Sequence, residues 1–280
     1  MERVRKPDWL KIRLGGNENF TRTKNIVESH CLHTICSSGR CPNMGECWER
    51  GTATFMIAGD ICTRSCKFCN TKTGKPLALD VNEPANLAKS IQLMKLKHAV
   101  ITSVDRDDLP DLGANHWVST IEKVKEVNPG ITTEVLIPDF QGKSDLIDIV
   151  CKAQPNVIAH NIETVRRLTP QVRSAAKYDV SLAVLKRIAD NGLKAKSGIM
   201  VGLGETTEEI YETMDDLLAS GCSILTIGQY LQPSRKHLPV SAYISPETFD
   251  EFKNVALEKG FTYVESGPLV RSSYHAERCL

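Results

Sequence analysis

Three cysteines in residues 59–70 have the spacing Cys-x3-Cys-x2-Cys: Cys62, Cys66 and Cys69, with Phe68 just before the last. Thiolates spaced in this way can hold three irons of a 4Fe-4S cube. The fourth iron is then without a protein ligand, and an open iron can bind a small molecule directly. The alternative is structural zinc, but zinc takes four protein ligands in a closed site, and the sequence offers no fourth ligand nearby. The spacing therefore favours an iron-sulfur cluster with one open iron.

A second group of cysteines precedes the first. Cys36, Cys41 and Cys47 follow Cys-x4-Cys-x5-Cys, which is too loose for a zinc knuckle. A proline and a glycine between them let the chain wrap around an object larger than one ion. A second cluster is the economical interpretation, and three free thiols in a reduced loop are the alternative. Cys31 breaks the spacing and is left out of the predicted ligands, although it competes most closely with Cys36.

Length, charge and cysteine usage limit the class of protein. The 280 residues suit one α/β barrel, and 35 basic against 34 acidic residues predict neither a nucleic-acid nor a membrane partner. No apolar run approaches the ~18 residues of a membrane span. Without a recognisable secretion or transit signal at the start, we expect a cytoplasmic protein. In that reducing compartment, ten cysteines, of which seven lie between Cys31 and Cys69, indicate metal rather than disulfides.

Strands and amphipathic helices alternate from residue 52 onwards. Six strand-helix units predict a parallel sheet with right-handed crossovers, and fewer than eight units suggest a partial barrel. Sites in such folds gather at the carboxyl ends of the strands, where the Cys62–Cys69 loop follows the first strand. We therefore expect an α/β fold, a partial (βα)6 barrel over 51–262. A cluster-binding extension would cover 1–50 and a folded-back tail 263–280. The predicted strands are 52–58, 99–103, 131–137, 156–161, 196–202 and 224–230.

These motifs together resemble the lipoyl synthase family of the radical S-adenosylmethionine (SAM) superfamily. The resemblance covers nearly the whole chain, from residue 6 to residue 276. Two cysteine triads of these spacings, combined with Arg-Ser-Ser-Tyr at 271–274, are specific to that family. The segments that carry the resemblance are 32–48, 52–70, 102–109, 160–164, 201–206, 229–233, 237–240 and 267–274.

The resemblance implies a sulfurtransferase that inserts two sulfur atoms into an octanoyl chain attached to a lysine of a carrier protein. Such carriers are the acyltransferase subunit of a 2-oxo acid dehydrogenase and the glycine-cleavage H protein. It also implies two 4Fe-4S clusters with SAM as cosubstrate, an electron donor such as flavodoxin or ferredoxin, and an iron-sulfur carrier protein as a further partner. Unactivated methylene C–H bonds are too strong for acid-base chemistry, which is why a cofactor performs the hard step.

The resemblance divides the labour between the two triads. The cluster on Cys62, Cys66 and Cys69 would reduce SAM, and the auxiliary cluster on the other triad would be the sulfur donor. A serine of the Arg-Ser-Ser-Tyr motif would complete the auxiliary cluster, and a hard oxygen on a soft cluster is a plausible point of iron release. We assign Ser273, with Ser272 as the alternative, because neighbouring residues of an extended tail point in opposite directions. Without the resemblance, a polar surface tail would be the default.

The resemblance also implies contacts to SAM and to the octanoyl-lysine arm. A polar loop after the second strand would bind the amino group, residues that end the fourth strand would bind the carboxylate or ribose, and a Gly-x-x-Glu motif would face the adenine. Each of these residues has an alternative role as a helix cap or a surface charge, and a buried structural role is favoured for Tyr230 and His237. The predicted SAM contacts are Phe68, Thr102, Ser103, Asp105, Asn161, Glu163, Arg173, Gly202 and Glu205, and the predicted substrate contacts are Gln229, Tyr230, His237 and Arg271.

Other classes of protein remain as alternatives. The nearest alternative is a different two-cluster sulfur-inserting enzyme, of the biotin synthase or tRNA methylthiolation kind. The tRNA enzyme is disfavoured, because the sequence shows neither an RNA-binding domain nor an excess of positive charge. An electron carrier with two clusters would need neither a barrel nor an open iron. A zinc-stapled binding module would be colourless.

Overall fold

The computed structural model describes residues 5–12, 15–30 and 32–280. These residues form two compact units. The first unit consists of residues 12–64 and 70–158, and the second consists of the described residues up to 11 together with 65–69 and 159–280. The loop with the Cys-x3-Cys-x2-Cys spacing contributes Cys62 to the first unit and both Cys66 and Cys69 to the second.

The first unit begins with helices around the auxiliary cysteines and continues with strand-helix units. Helix α1 starts after Asn17, whose side chain accepts a hydrogen bond from the backbone N of Phe20 (2.9 Å). The elements in chain order are α1 (Glu18–Ser29), β1 (His33–Thr34), α2 (Ile35–Ser38), α3 (Met44–Glu49), β2 (Thr54–Ile57), β3 (Ile61–Cys62), β4 (Lys72–Thr73), α4 (Glu83–Met94), β5 (His98–Ser103), α5 (Ala114–Val127), β6 (Thr132–Leu136) and α6 (Ser144–Lys152).

The strands of the first unit pair in the order β1, β2, β5, β6. Strands β2, β5 and β6 run parallel, with Thr54 opposite Val100 and His98 opposite Thr132, whereas β1 is antiparallel to β2. Strand β2 is buried along its whole length, as is typical of a strand in a parallel sheet, where both faces are covered. The short strands β3 and β4 pair separately. The carboxyl ends of β2 and β5 therefore deliver the cysteine loop and residues 103–109 to one edge of this sheet.

Strand β7 (Val157–Ala159) lies at the boundary between the units, and the second unit continues the alternation. Helix α9 (Thr207–Ala219) of this unit begins with a capping box: Thr206 Oγ1 accepts from Glu209 N, and the Glu209 carboxylate accepts from Thr206 N. The elements are α7 (Thr169–Val172), α8 (Tyr178–Asp190), β8 (Lys194–Val201), α9 (Thr207–Ala219), β9 (Cys222–Gln229), α10 (Pro246–Lys259), β10 (Tyr263–Gly267) and a closing 3-10 helix (Ala276–Cys279).

All six predicted strands are present, and the α/β class with mostly parallel strands is confirmed. Strand β10 is an addition: it pairs in parallel with β9, with Tyr263 opposite Ile224, within the stretch assigned to the tail. Its sequence Tyr-Val-Glu-Ser-Gly buries only Val264, so it carries no hydrophobic signal. None of the helices among the described residues is long and apolar enough to cross a membrane.

Candidate functional site

In the first unit, Cys62 ends β3 with its sulfur surrounded by polar groups. The backbone N–H groups of Arg64 and Asp105 donate to Cys62 Sγ, at 3.4 and 3.3 Å, and the thiol lies 3.5 Å from Asp105 Oδ2. Burial, followed by the nearby Asp105 carboxylate, raises the pKa of the Cys62 thiol to about 12. The backbone donors fit a thiolate ligand, whose negative charge bound iron would neutralise.

In the second unit, the backbone around Cys66 and Cys69 is held at several points. Cys69 N donates to Cys66 O (3.1 Å), which makes one tight turn. Leu238 N donates to Lys67 O (3.2 Å), and His237 Nε2 lies 3.0 Å from Cys69 O. The Cys66 sulfur lies 3.7 Å from Ser174 Oγ. His237 therefore contacts the backbone of the cysteine loop, a connection that the sequence analysis, which assigned it to a substrate channel, did not reveal.

The auxiliary triad lies entirely in the first unit. Cys36 is buried in α2, and Cys47 is in α3. Burial first, and then the charge of Cys41, raises the pKa of Cys36 to about 11; burial and the other two thiols raise that of Cys47 to about 12. Thr54, whose backbone and side chain donate to the Cys36 sulfur, acts in the opposite direction and lowers the pKa of Cys36.

The chemistry of this donor set fits an iron-sulfur cluster. The three soft thiols lie close together, since Cys41 raises the pKa of Cys36 and both of these raise the pKa of Cys47, and iron would remove that repulsion. Cys41 N donates to Cys36 O (2.9 Å), which ties the first two members together. Within residues 5–12, 15–30 and 32–280, no three His, Cys, Asp or Glu side chains are gathered as a site for a single metal ion. Cys31 lies outside the described residues.

Alkylation of the iron-free protein tests this electrostatic environment. At pH 8, a Cys36 pKa of about 11 instead of 9.0 leaves ~100-fold less thiolate than an ordinary thiol. We expect iodoacetamide to modify Cys36 and Cys47 far more slowly in the folded than in the urea-unfolded protein, and the folded rate to keep rising beyond pH 9, as measured by peptide mass spectrometry. Restricted access alone would lower the rate without moving the midpoint of the pH profile, and that result would contradict the prediction.

The same shifts give the iron-free fold a pH dependence. The folded-state pKa values lie above the unfolded ones, so the protonated thiols contribute stability that is fully present below pH 9 and decreases as the pH rises through about 11 to 12. Thermal unfolding followed from pH 8 to pH 11 is expected to show a falling midpoint, and the fall is expected to be smaller when Cys36 is replaced by alanine.

The predicted SAM residues of the first unit follow β5. Thr102 is buried and its hydroxyl donates to Leu136 O (3.2 Å), while Ser103 is half-buried at the end of the strand. Asp105 comes two residues later, and burial raises the pKa of its carboxyl. Thr102 is therefore part of the sheet, whereas Ser103 and Asp105 lie at the edge where the cysteine loop leaves β2.

The predicted SAM residues of the second unit surround a buried polar atom. Asn161 Oδ1 is buried and has no hydrogen-bond partner among the described residues. A Cβ on Gly198 would lie only 2.9 Å from this oxygen, so the glycine preserves the space beside it. Burial raises the pKa of Glu163, which the charge of Arg173 and a hydrogen bond from Asn161 partly offset. An orphaned acceptor beside an acid fits a cosubstrate that carries amino and hydroxyl donors.

Glu163 and Arg173 are held by specific backbone and side-chain contacts. Glu163 adopts a left-handed φ of 70°, and its backbone bonds Gly198 O and Met200 N at 2.9 and 2.8 Å. Arg173 is buried and donates to Ser181 Oγ (2.7 Å), which leaves its charge near Glu163. Part of the Arg173 guanidinium is thus already hydrogen-bonded within the protein.

The Gly-x-x-Glu motif forms a turn. The Glu205 carboxylate accepts from the backbone N–H groups of Gly202 and Leu203. Gly202 has a φ of 95°, and a Cβ there would meet Gln229 Nε2 at 2.1 Å. Both residues are engaged in the local fold, which corresponds to the structural alternative for such polar residues. Their assignment to adenine remains a prediction.

The four predicted substrate residues differ in their surroundings. Gln229 is fully buried, with its amide bonded to the backbone of residues 201, 230, 242 and 244. Tyr230 is also buried and donates to Leu238 O (2.8 Å), as the buried alternative predicted. Arg271 Nη1 donates to Val270 O (2.6 Å). Phe68 and His237 are half-buried. The assignment of these residues to substrate or SAM remains a prediction.

The Arg-Ser-Ser-Tyr segment follows β10 and forms a turn. Tyr274 N donates to Arg271 O (2.9 Å), so this tail is not the extended chain assumed in the sequence analysis. The prediction of an extended tail, whose neighbouring side chains point in opposite directions, is therefore wrong. Ser272 and Ser273 are both half-buried. Burial therefore does not distinguish Ser272 from Ser273 as the fourth ligand.

Gly228 lets the tail approach β9. A Cβ on this glycine would lie 2.1 Å from Val270 O, a distance that a real Cβ cannot adopt. We expect Gly228→Ala to displace residues 270–273 and to destabilise the protein by about 1–3 kcal/mol, measured from the urea midpoint. Gly16→Ala is the control, since a Cβ there meets nothing within 4 Å. Equal midpoints for the two variants would show that the tail does not press on Gly228.

Comparison with known proteins identifies the class of this site. The sequence model of the Radical SAM superfamily matches residues 56–217. Solved structures share the fold at low identity. SuiB from Streptococcus suis bound to its precursor peptide SuiA has a TM-score of 0.61 at 10% identity, with 88% of this chain and 52% of SuiB covered. Methylornithine synthase (PylB) has a TM-score of 0.51 at 14% identity, with 92% and 85% covered. The chain belongs to the radical SAM superfamily.

Close relatives define the family within that superfamily. Lipoyl synthase from Parabacteroides distasonis is 73% identical over 277 residues, 99% of each chain. Lipoyl synthase from Porphyromonas gingivalis is 67% identical over 280 residues, with 100% of this chain and 99% of the relative covered. That from Treponema denticola is 62% identical over 274 residues, with 98% and 94% covered. The chain is thus a member of the lipoyl synthase family.

Proposed function

We propose that this chain inserts sulfur at carbons 6 and 8 of an octanoyl group attached to a lysine of a lipoyl carrier protein, which makes it a sulfurtransferase. The observation that supports this best is the pair of cysteine triads in a chain 73% identical to a lipoyl synthase. One triad alone would support SAM chemistry without a sulfur source. The second triad, with its mutually raised pKa values, supports an auxiliary cluster.

The residues of the first triad hold the cluster that acts on SAM. Cys62, Cys66 and Cys69 would hold a 4Fe-4S cluster with one open iron, which would supply the electron needed to cleave SAM and so the radical chemistry that an unactivated methylene requires. Cys62, Cys66 and Cys69 bind three irons as thiolates. The backbone donors at the Cys62 sulfur stabilise its negative charge. One SAM is consumed for each C–H bond that is replaced by a C–S bond.

Other residues bind and orient SAM. The Asn161 oxygen, which lacks a partner among the described residues, is available to accept from a SAM donor, and Glu163 lies next to it with Arg173 nearby. In the first unit, Ser103 and Asp105 are likewise proposed SAM contacts, with Asp105 assigned to the amino group of SAM. Phe68, Thr102, Gly202 and Glu205 then act mainly as the scaffold of the loop, strand and turn that carry these groups.

The auxiliary triad, with Ser273 as the proposed fourth ligand, provides the sulfur. The oxygen ligand is the weakest match to iron in this set, so iron release is expected to begin there. The proposed carriers are the acyltransferase subunit of a 2-oxo acid dehydrogenase and the glycine-cleavage H protein. Flavodoxin or ferredoxin is the proposed reductant, an iron-sulfur carrier protein is a further proposed partner, and the proposed location is the cytoplasm.

The test is anaerobic iron and sulfide analysis combined with mass spectrometry of an octanoyl-lysine peptide incubated with SAM and dithionite. Two four-iron cubes predict about eight irons per chain, and the product is expected to gain two sulfur atoms. SAM cleavage without sulfur insertion would support the radical SAM assignment but contradict the proposed substrate. Zinc in place of iron would overturn the whole proposal.

A further inference from the structure

Arg64 lies inside the cysteine loop, between Cys62 and Cys66, and is only 8% exposed. Its guanidinium makes two forked ion pairs within the first unit. Nε and Nη2 donate to the two carboxylate oxygens of Asp107, at 2.7 and 2.8 Å, and Nη1 and Nη2 donate to those of Asp139, at 2.9 and 2.8 Å. Lysine cannot reproduce two planar forks from one side chain.

The charge of Arg64 is committed to the protein's own acids. Asp105 is a third carboxylate, 3.4 Å from Nε. Asp139 is buried, and the Asp107 pKa is held down first by its hydrogen bond to Arg64. Three acids surround one guanidinium, so Arg64 has no free donor pair for the carboxylate of a cosubstrate. The role of Arg64 therefore differs from that of Arg173, which is a predicted SAM contact.

The anchored side chain fixes backbone groups that contact Cys62. Arg64 N donates to the Cys62 sulfur, and Thr73 Oγ1 donates to Arg64 O (3.1 Å), so both sides of this residue are held. Thr63 N donates to Asp105 O (3.1 Å), which joins the loop to the segment whose Asp105 N–H is the second donor to the sulfur. A shift of the guanidinium would move the Arg64 N–H donor directly. It would also move the Asp105 N–H donor, because Asp107, which the guanidinium binds, lies in the same segment as Asp105.

We propose that Arg64 is a positioning residue for the SAM-cleaving cluster: its forks on Asp107 and Asp139 set the two N–H donors on Cys62 and thereby the affinity and reduction potential of the cluster. The inference rests on the cluster-binding role proposed for Cys62. Hydrogen bonds to cluster sulfur atoms are one of the factors that set such potentials, because they stabilise the extra negative charge of the reduced form.

The experiment uses the full chain with Cys36, Cys41 and Cys47 replaced by alanine, so that all bound iron reports on the remaining triad. In this background we expect Arg64→Lys to lose iron to a chelator about tenfold faster and to shift the reduction potential of the loaded fraction to lower values, followed by electron paramagnetic resonance during a redox titration. Asp139→Asn, which keeps the fork on Asp107, is expected to shift both in the same direction by less.

Arg166→Lys is the matched control. Arg166 also pairs with two acids, Asp179 and Asp216, but it is exposed and distant in sequence from the loop. We expect this variant to match its parent in chelator resistance and potential. Circular dichroism checks folding, and Asp139→Asn decides the question if Arg64→Lys does not fold.

The outcomes separate this inference from the proposed function. Iron loss without any change in potential for the loaded fraction would reduce Arg64 to a general structural role and overturn the proposal, as would parental behaviour of both Arg64→Lys and Asp139→Asn. A parent that binds no iron would instead overturn the proposed function itself, and this inference with it. Because none of the readouts requires lipoyl product, a wrong substrate assignment would leave the result intact.

Discussion

Replacing Cys36 by alanine is expected to abolish sulfur insertion and to preserve SAM cleavage. Cys36 is the most buried member of its triad, and Cys41 and Cys47 cannot hold the auxiliary cluster between them. The cleaving triad keeps its own ligands and its own backbone donors at Cys62. Quantification of 5'-deoxyadenosine and lipoyl peptide in the same anaerobic reaction measures both activities.

Cys62→Ala is the reciprocal variant, and Cys222→Ala is the control. Cys62→Ala is expected to lose both activities, since no radical forms without the first cluster. Cys222 is buried in β9, outside both triads, and its replacement is expected to retain both activities. A folded Cys36→Ala protein that has lost SAM cleavage, or one that still produces lipoyl peptide, would contradict the division of labour between the triads.

The second large effect is expected at the tail, where Ser273→Ala is predicted to stop product formation and Ser272→Ala to allow it. The two variants form a matched pair, because the residues are adjacent, equally small and both half-buried. Loss of an oxygen ligand would leave one auxiliary iron open, so the Mössbauer parameters of the one iron without a cysteine ligand are expected to change in Ser273→Ala. SAM cleavage is the internal control, and it should persist in both variants.

Each result at these serines has a definite meaning. If the effects are exchanged, Ser272 is the ligand, and the turn at 271–274 presents it instead. If both variants form product at the parental rate, no serine of this segment is needed by the auxiliary cluster. In that case the distinct iron, if the spectra still show one, has a ligand elsewhere in the chain.

Elements with a local signal were predictable from the sequence. Short apolar stretches between amphipathic helices predicted the strands. The start of α9 followed from Thr206 and Glu209 three residues apart, a pattern whose two hydrogen bonds are both present. Strand β10 had no such signal, because Glu265, Ser266 and Gly267 are poor strand formers. Its pairing depends on the neighbouring strand β9 and is visible only in three dimensions.

The site shows the same distinction between local and distant information. The cysteine spacings are local, and they identified both triads. The partners of Arg64 lie 43 and 75 residues away in sequence, so nothing in the loop itself predicted them, although Asp107 lies in a recognised motif. Gln229 shows the same limit: the resemblance implies that it contacts the substrate, and its hydrogen bonds to the backbone of residues 201, 242 and 244 are visible only in three dimensions.

The close contact between Gly228 and Val270 limits how far the proposed serine ligand can travel. With Val270 pressed against β9, only three peptide units separate this fixed point from Ser273, and three residues span at most about 10 Å. If Ser273 binds an iron as proposed, so short a tether would let it leave and return without any strand separating. Its local concentration stays high throughout, so the detached state would be brief and the tail would be ready to meet a rebuilt cluster.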